Sequence, residues 1–81
     1  KLPCSAQGAA LALRAVARRY ADRNPVLLDG VRIEFDDSWI LVRQSNTEPV
    51  IRIYAESSRS EDAAAELAEE FLSELGKLAV E

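Results

Sequence analysis

Residues 43–52 read Arg-Gln-Ser-Asn-Thr-Glu-Pro-Val-Ile-Arg. Arg43, Ser45, Asn46, Thr47 and Arg52 bring two guanidiniums, two hydroxyls and one carboxamide into this short stretch. Groups of these types suit the grip on an oxyanion, above all a phosphate. A guanidinium presents a planar fork of N–H donors that matches two phosphate oxygens at once. Hydroxyls and amides add neutral donors, and successive backbone N–H groups in a tight turn make an anion-binding concavity. Pro49 has no N–H and fixes the exit from the loop. Glu48 has the opposite sense. A carboxylate beside a bound phosphate is unfavourable, so it is expected to turn away and accept hydrogen bonds from the loop or from an arginine. Residue types alone leave a plainer reading open. In it the stretch is a simple hairpin loop, where Ser, Asn and Thr satisfy nearby backbone, Asn46 is left-handed and the arginines pair with local acids.

The rest of the chain supplies no reactive centre to accompany this loop. Its 81 residues suffice for one small domain, residues 1–81, with a modest core. There is no histidine, so imidazole catalysis and most transition-metal sites are excluded. Cys4 is the one cysteine, which rules out an internal disulfide and a cysteine-only zinc site. It is expected to be a small apolar residue near the terminus. No nucleophile–base pair stands out, and neither a catalytic residue nor a metal ligand is assigned. No apolar run approaches the ~20 residues of a membrane-spanning helix. The formal net charge is −4. Residues 56–81 are strongly acidic, while residues 1–55 carry a slight excess of bases. A nucleic-acid-binding surface calls for a basic stripe, which this balance lacks. A reducing, cytoplasmic setting is expected. Lys1-Leu2-Pro3 opens without a methionine and leads straight into helix-like sequence, so the chain reads as a fragment of a longer polypeptide.

The elements that must position the loop follow from periodicity. Residues 5–22 predict a helix, with Ser5 as N-cap and Ala9, Leu13, Val16, Ala17 and Tyr20 at helical spacing. Asn24-Pro25 stops it. Residues 26–35 predict two strands joined at Asp29-Gly30, with Leu28 opposite Val31 and Val26 opposite Ile33. A second turn at Asp37-Ser38 would set Ile33 opposite Val42. The third and fourth strands, 39–43 and 50–56, flank the polar loop. Setting Arg43 opposite Arg52 brings Val42 to Ile53 and Ile40 to Ala55. One face then gathers Val26, Leu28, Val31, Ile33, Phe35, Ile40, Val42, Ile51, Ile53 and Ala55. The other gathers Arg32, Glu34, Trp39, Leu41, Arg43, Arg52, Tyr54 and Glu56. Residues 59–79 predict a second helix with a Ser58–Glu61 capping box. Its apolar stripe is Ala64, Leu67, Phe71, Leu75 and Leu78, with Glu66, Glu69, Glu70 and Glu74 on a solvated face. The economical fold is α+β: two layers, a four-stranded antiparallel sheet with two helices on one face.

The run Ser45-Asn46-Thr47-Glu48-Pro49, followed by Ile51-Arg52-Ile53-Tyr54, resembles a signature of the phosphohexomutases, the phosphoglucomutase/phosphomannomutase superfamily. Asp29-Gly30-Val31, Trp39 and the acidic C-terminal helix extend the similarity, which covers residues 26–81 well and 1–25 loosely. Gln44 departs from the Pro or Ala that relatives often carry. The resemblance implies the TATA-binding-protein-like domain that closes these enzymes. It implies a parent that interconverts hexose 1-phosphate and hexose 6-phosphate through a phosphoserine and Mg²⁺, both in preceding domains of the same polypeptide. Arg43, Ser45, Asn46 and Thr47, with Arg52 as a fifth contact, would hold the phosphate that is not being transferred. The Asn form of the loop leans slightly toward the mannose and glucose branches over the glucosamine branch. The alternative function is a non-enzymatic ligand- or protein-binding module using the open sheet face through Trp39, Leu41 and Tyr54.

Overall fold

A computed structural model describes residues 2–28 and 30–78. The elements are β1 (Leu2–Pro3), α1 (Ala6–Arg19), β2 (Val31–Glu34), β3 (Ser38–Gln44), β4 (Val50–Ser57) and α2 (Glu61–Leu78), with one 3₁₀ turn at Ala21–Arg23. The four strands form one antiparallel sheet in the order β1-β4-β3-β2. Both helices cover one face. The core joins Ala9, Ala12 and Val16 of α1 and Phe71 and Leu75 of α2 to Val31, Ile33, Ile40, Val42 and Ile51 of the sheet. The fold is therefore α+β, with a four-stranded sheet and two helices, as the patterning implies.

The strand set differs from the expected one. Residues 26–28 form no strand. Val26 makes a single bridge to Arg32, each N–H donating to the other's carbonyl at 2.9 Å. That pairing is one residue away from the Val26–Ile33 register, and cross-strand partners share a face. The slip therefore turns Val26 off the core, where it is 49% exposed, and Leu28 is 84% exposed. Asp29 of the expected turn lies outside the described residues, as does residue 79. The fourth strand is instead β1, where Leu2 pairs with Ile51 and Pro3 with Val50. Proline suits that place, because an edge strand can spare an N–H.

The β2–β3 hairpin turns one residue earlier than expected, at Asp36-Asp37 rather than Asp37-Ser38. Phe35 N–H donates to Ser38 O at 2.8 Å, and Ile33 faces Ile40 while Val31 faces Val42. A shift of two residues leaves every side chain on its intended face. The β3–β4 ladder has the expected register: Ile40 opposite Ala55, Val42 opposite Ile53 and Arg43 opposite Arg52.

Helix α1 is capped as expected, Gly8 N–H donating to Ser5 Oγ at 3.0 Å. It ends at Arg19, and Asn24 takes a left-handed φ of 51° before Pro25. For α2 the capping serine is Ser60, whose Oγ accepts from Ala63 N–H at 3.0 Å. Ser58 is occupied elsewhere, its backbone N–H and hydroxyl both donating to Asp37 O in the β2–β3 turn. Glu74 also leaves the expected solvated face. Its side chain is only 18% exposed, with Arg19 Nε 3.2 Å from Oε1, and Oε2 accepts from the Tyr20 hydroxyl at 3.3 Å. Tyr20 stacks on Phe71 with centroids 5.3 Å apart and meets Phe35 edge-on, so an aromatic corner ties both helices to the end of the sheet away from the polar loop.

Burial pushes the Tyr20 hydroxyl above its ordinary pKa, and the charge and hydrogen bond of Glu74 push the same way. A raised folded-state pKa contributes stability that is full below the ordinary value, near 10, and is lost as pH climbs through the raised one. Unfolding measured between pH 8 and 11 should therefore show stability falling at the alkaline end, and Tyr20→Phe should remove that fall. At neutral pH the same substitution should cost about 1 kcal/mol, the net worth of a hydrogen bond. By contrast Leu28→Ser should change stability by less than about 0.5 kcal/mol, the range for an exposed site. A core-sized loss in urea melts would put Leu28 back on the buried face.

Candidate phosphate site

The loop hangs from the end of the β3–β4 ladder. Ser45 N–H donates to Val50 O at 3.0 Å and Val50 N–H to Glu48 O at 2.8 Å, so the turn closes on its own backbone. Ser45 is its hub. Its Oγ accepts from Thr47 N–H at 3.3 Å and Glu48 N–H at 3.2 Å, and lies 3.4 Å from Thr47 Oγ1. Those two amides serve the serine oxygen within the loop. The Ser45 oxygen is an acceptor in these bonds, and its one proton is what it has to donate. Asn46 and Thr47 stand exposed at the tip. Asn24 is the one non-glycine residue with positive φ among the described residues, so Asn46 is not the left-handed residue that a plain hairpin loop would use.

Arg43 and Arg52 are direct cross-strand partners on the sheet face away from the helices. Both are partly buried, their positions set by the ladder. Arg52 Nη2 lies 3.7 Å from Glu48 Oε1, with each side chain more than a third exposed, the geometry of a weak surface ion pair. Glu48 thus engages an arginine, as expected.

A depression of about 260 Å³ brings together Arg43, Ser45, Asn46, Thr47 and Arg52, all the residues singled out by type, and adds Tyr54. Tyr54 was visible on the open face from its alternation but not as part of the site. The signal was its position two residues beyond Arg52, which sets both on the same face of β4. A larger hollow of about 370 Å³ lies on the other side of the loop, between it and the start of α1, lined by Cys4, Ser5, Ala6 and Ala9. Its one charged lining residue is Glu48, so it is electrostatically the poorer place for an anion. Along the open face, the Arg32 guanidinium lies 4.2 Å from the Trp39 ring centroid, which covers part of the apolar surface there. Among the described residues no cluster of three His, Cys, Asp or Glu could hold a metal ion. None of their helices is long and apolar enough to cross a membrane.

An α+β scaffold thus carries the loop and the paired arginines at one end of its sheet. Residues 2–74 match the profile of the phosphoglucomutase/phosphomannomutase C-terminal domain, and the chain belongs to that family. It is 58% identical over 45 residues to a probable phosphoglucosamine mutase of Methanopyrus kandleri, an alignment covering 56% of this chain and 10% of the relative. It is 40% identical over 67 residues to a probable phosphoglucosamine mutase of Pyrococcus abyssi, covering 78% of this chain and 15% of the relative. A phosphoglucomutase/phosphomannomutase of Thermococcus kodakarensis is 56% identical over 41 residues, covering 51% of this chain and 9% of the relative. Such alignments thus take in only a small part of each relative's length.

Ser45→Ala tests the hub. It leaves Thr47 and Glu48 N–H without their shared acceptor, at a cost of about 0.5–1.5 kcal/mol if borne by the fold. The loss should stay local, because the loop is exposed. Amide exchange at residues 47 and 48 should speed up while the exchange of β3 and α2 core amides holds.

Proposed function

We propose that this chain is the phosphate-clamping C-terminal domain, residues 1–81, of an enzyme that interconverts hexose 1-phosphate and hexose 6-phosphate. Arg43, Ser45, Asn46, Thr47 and Arg52 hold the phosphate that is not being transferred. The observation that carries this is the register that sets Arg43 beside Arg52 at the mouth of the loop. Two like charges facing each other across strands repel by up to about 1 kcal/mol. A dianion between them replaces that repulsion with two charge-assisted contacts. The Glu48 partner of Arg52 is weakly held and can yield to it.

The clamp works by binding energy rather than by chemistry. Holding the remote phosphate fixes the far end of the sugar, and that fixed orientation lowers the barrier at the reacting end. The clamp must then accept either phosphate of a sugar that turns over between half-reactions, so it reads phosphate and ignores the sugar. The names of the relatives fit this, since they span phosphoglucosamine mutase and phosphoglucomutase/phosphomannomutase. The described residues have no carboxylate cluster suited to Mg²⁺. In this reading, as the family resemblance implies, the metal and the phosphoserine of the parent lie in preceding domains of the same polypeptide, in the cytoplasm.

Titrating the labelled chain with inorganic phosphate should move resonances of residues 43–54 and leave the helices still. In the parent enzyme, Arg43→Ala should weaken sugar-phosphate binding by about 1.5–3 kcal/mol, the range for a hydrogen bond to a charged group. The melting curve should barely change, because Arg43 lies on the face away from the helices. The ranking of kcat/KM among mannose, glucose and glucosamine phosphates should survive the substitution. Wild-type kinetics in Arg43→Ala would remove Arg43 from the site, and a reversed ranking would mean that the clamp reads the sugar.

A further inference from the structure

Gly30 immediately precedes β2, and the ladder that sets Val31 opposite Val42 places residue 30 beside Arg43. Its φ is +121°, a conformation that L side chains rarely adopt. It is also pressed against β3. A Cβ built on Gly30 would stand 2.6 Å from the Val42 carbonyl oxygen, 3.0 Å from Arg43 Cβ and 3.3 Å from Arg43 Cα. The first of these distances is shorter than Cβ atoms tolerate, and the atom in the way is backbone, which cannot swing aside. Arg43 is thus flanked by Arg52 on β4 and by a bare Cα on the β2 side.

We infer that Gly30 is a positioning residue for the phosphate clamp, acting through Arg43; the inference rests on Arg43 being a phosphate ligand. Any side chain at position 30 pushes β3 at Val42–Arg43 or lifts the start of β2 away from it. Either movement changes where the Arg43 guanidinium sits relative to Arg52 and the Ser45-Asn46-Thr47 loop. The absent side chain also leaves room next to Arg43 on the flank where a cross-strand neighbour would otherwise compete for the same space. Gly30 touches no ligand in this scheme. It sets the approach of two strands, and the approach sets the spacing of the two guanidiniums.

A double-mutant cycle on the full chain tests this, with inorganic phosphate as probe and affinity read from the resonances of residues 45–47. Gly30→Ala should weaken phosphate binding about tenfold, the low end of what losing one hydrogen bond to a charged group costs. Arg43→Ala should weaken it as well. In the Arg43→Ala background, Gly30→Ala should have no further effect on affinity, although it should still lower the melting temperature. Additive losses in affinity would overturn the inference, as would an unchanged affinity in Gly30→Ala. No loss in Arg43→Ala alone would instead overturn the assignment of Arg43, a separate failure. Should Gly30→Ala not fold, the wild type still decides. Saturating phosphate should shift the Gly30 amide resonance in the wild-type chain and not in Arg43→Ala. A Gly30 resonance that ignores phosphate in the wild type overturns the coupling.

Discussion

Arg43 and Arg52 face each other across two strands, an arrangement that like charges oppose. The ladder that enforces it runs without a break from Ser38–Ser57 to Gln44–Ile51. Its register is held from the other face of the sheet. Ile40, Val42 and Ile51 are fully buried beneath the helices, and Ile53 and Ala55 pack beside them. A slip of one residue by either strand would turn that strand's share of this set to water, a loss of roughly 1.5–3 kcal/mol for each large side chain. Against that, cross-strand repulsion of up to about 1 kcal/mol is small. The hydrophobic face therefore dictates a spacing of charges that the polar face would not choose, and the core fixes where the two arginines stand on their strands.

The molecule divides its labour between the two ends of the sheet. At one end the β3–β4 turn carries exposed polar side chains and closes through its own backbone and one serine hydroxyl. At the other, Tyr20, Phe35 and Phe71 meet, Arg23 lies over the Phe35 ring, and Ser58 ties the start of α2 to the β2–β3 turn. Long-range hydrogen bonds of side-chain polar groups, Tyr20 to Glu74 and Ser58 to Asp37, sit at this second end. The loop can accordingly vary in its tip residues without disturbing the elements that hold it.

Much of this was legible from periodicity. The β3–β4 register, both faces of those strands, and the buried stripe of α2 at Phe71 and Leu75 follow from strict alternation and helical spacing over long segments. Arg43, Ser45, Asn46, Thr47 and Arg52 converge on one depression as their types suggested. What escaped was short or non-local. β1 has two residues, too few to show a period, and it pairs with a strand almost fifty residues away. Val26-Leu27-Leu28 carries strand-like composition, yet Arg32 bonds to Val26 rather than letting it reach Ile33. Ser58 and Ser60 are equally plausible caps by type, and only the claim of Asp37 on Ser58 separates them. Glu74 reads as a solvated acid until α1 is placed against α2.

The two margins of the sheet have a bearing on how this protein behaves in a crowd. β1 is two residues long and one of them is a proline, which has no N–H to offer a passing strand. On the far side β2 spans four residues, and the outward N–H and carbonyl of Arg32 are already taken by Val26. Charged Arg32 and Glu34 stand along that rim. Neither margin exposes a long flat run of unsatisfied backbone, so the chain gives little purchase to strand-by-strand aggregation. The isolated Val26 bridge, too short to count as a strand, serves as a stopper on an otherwise open end of the sheet.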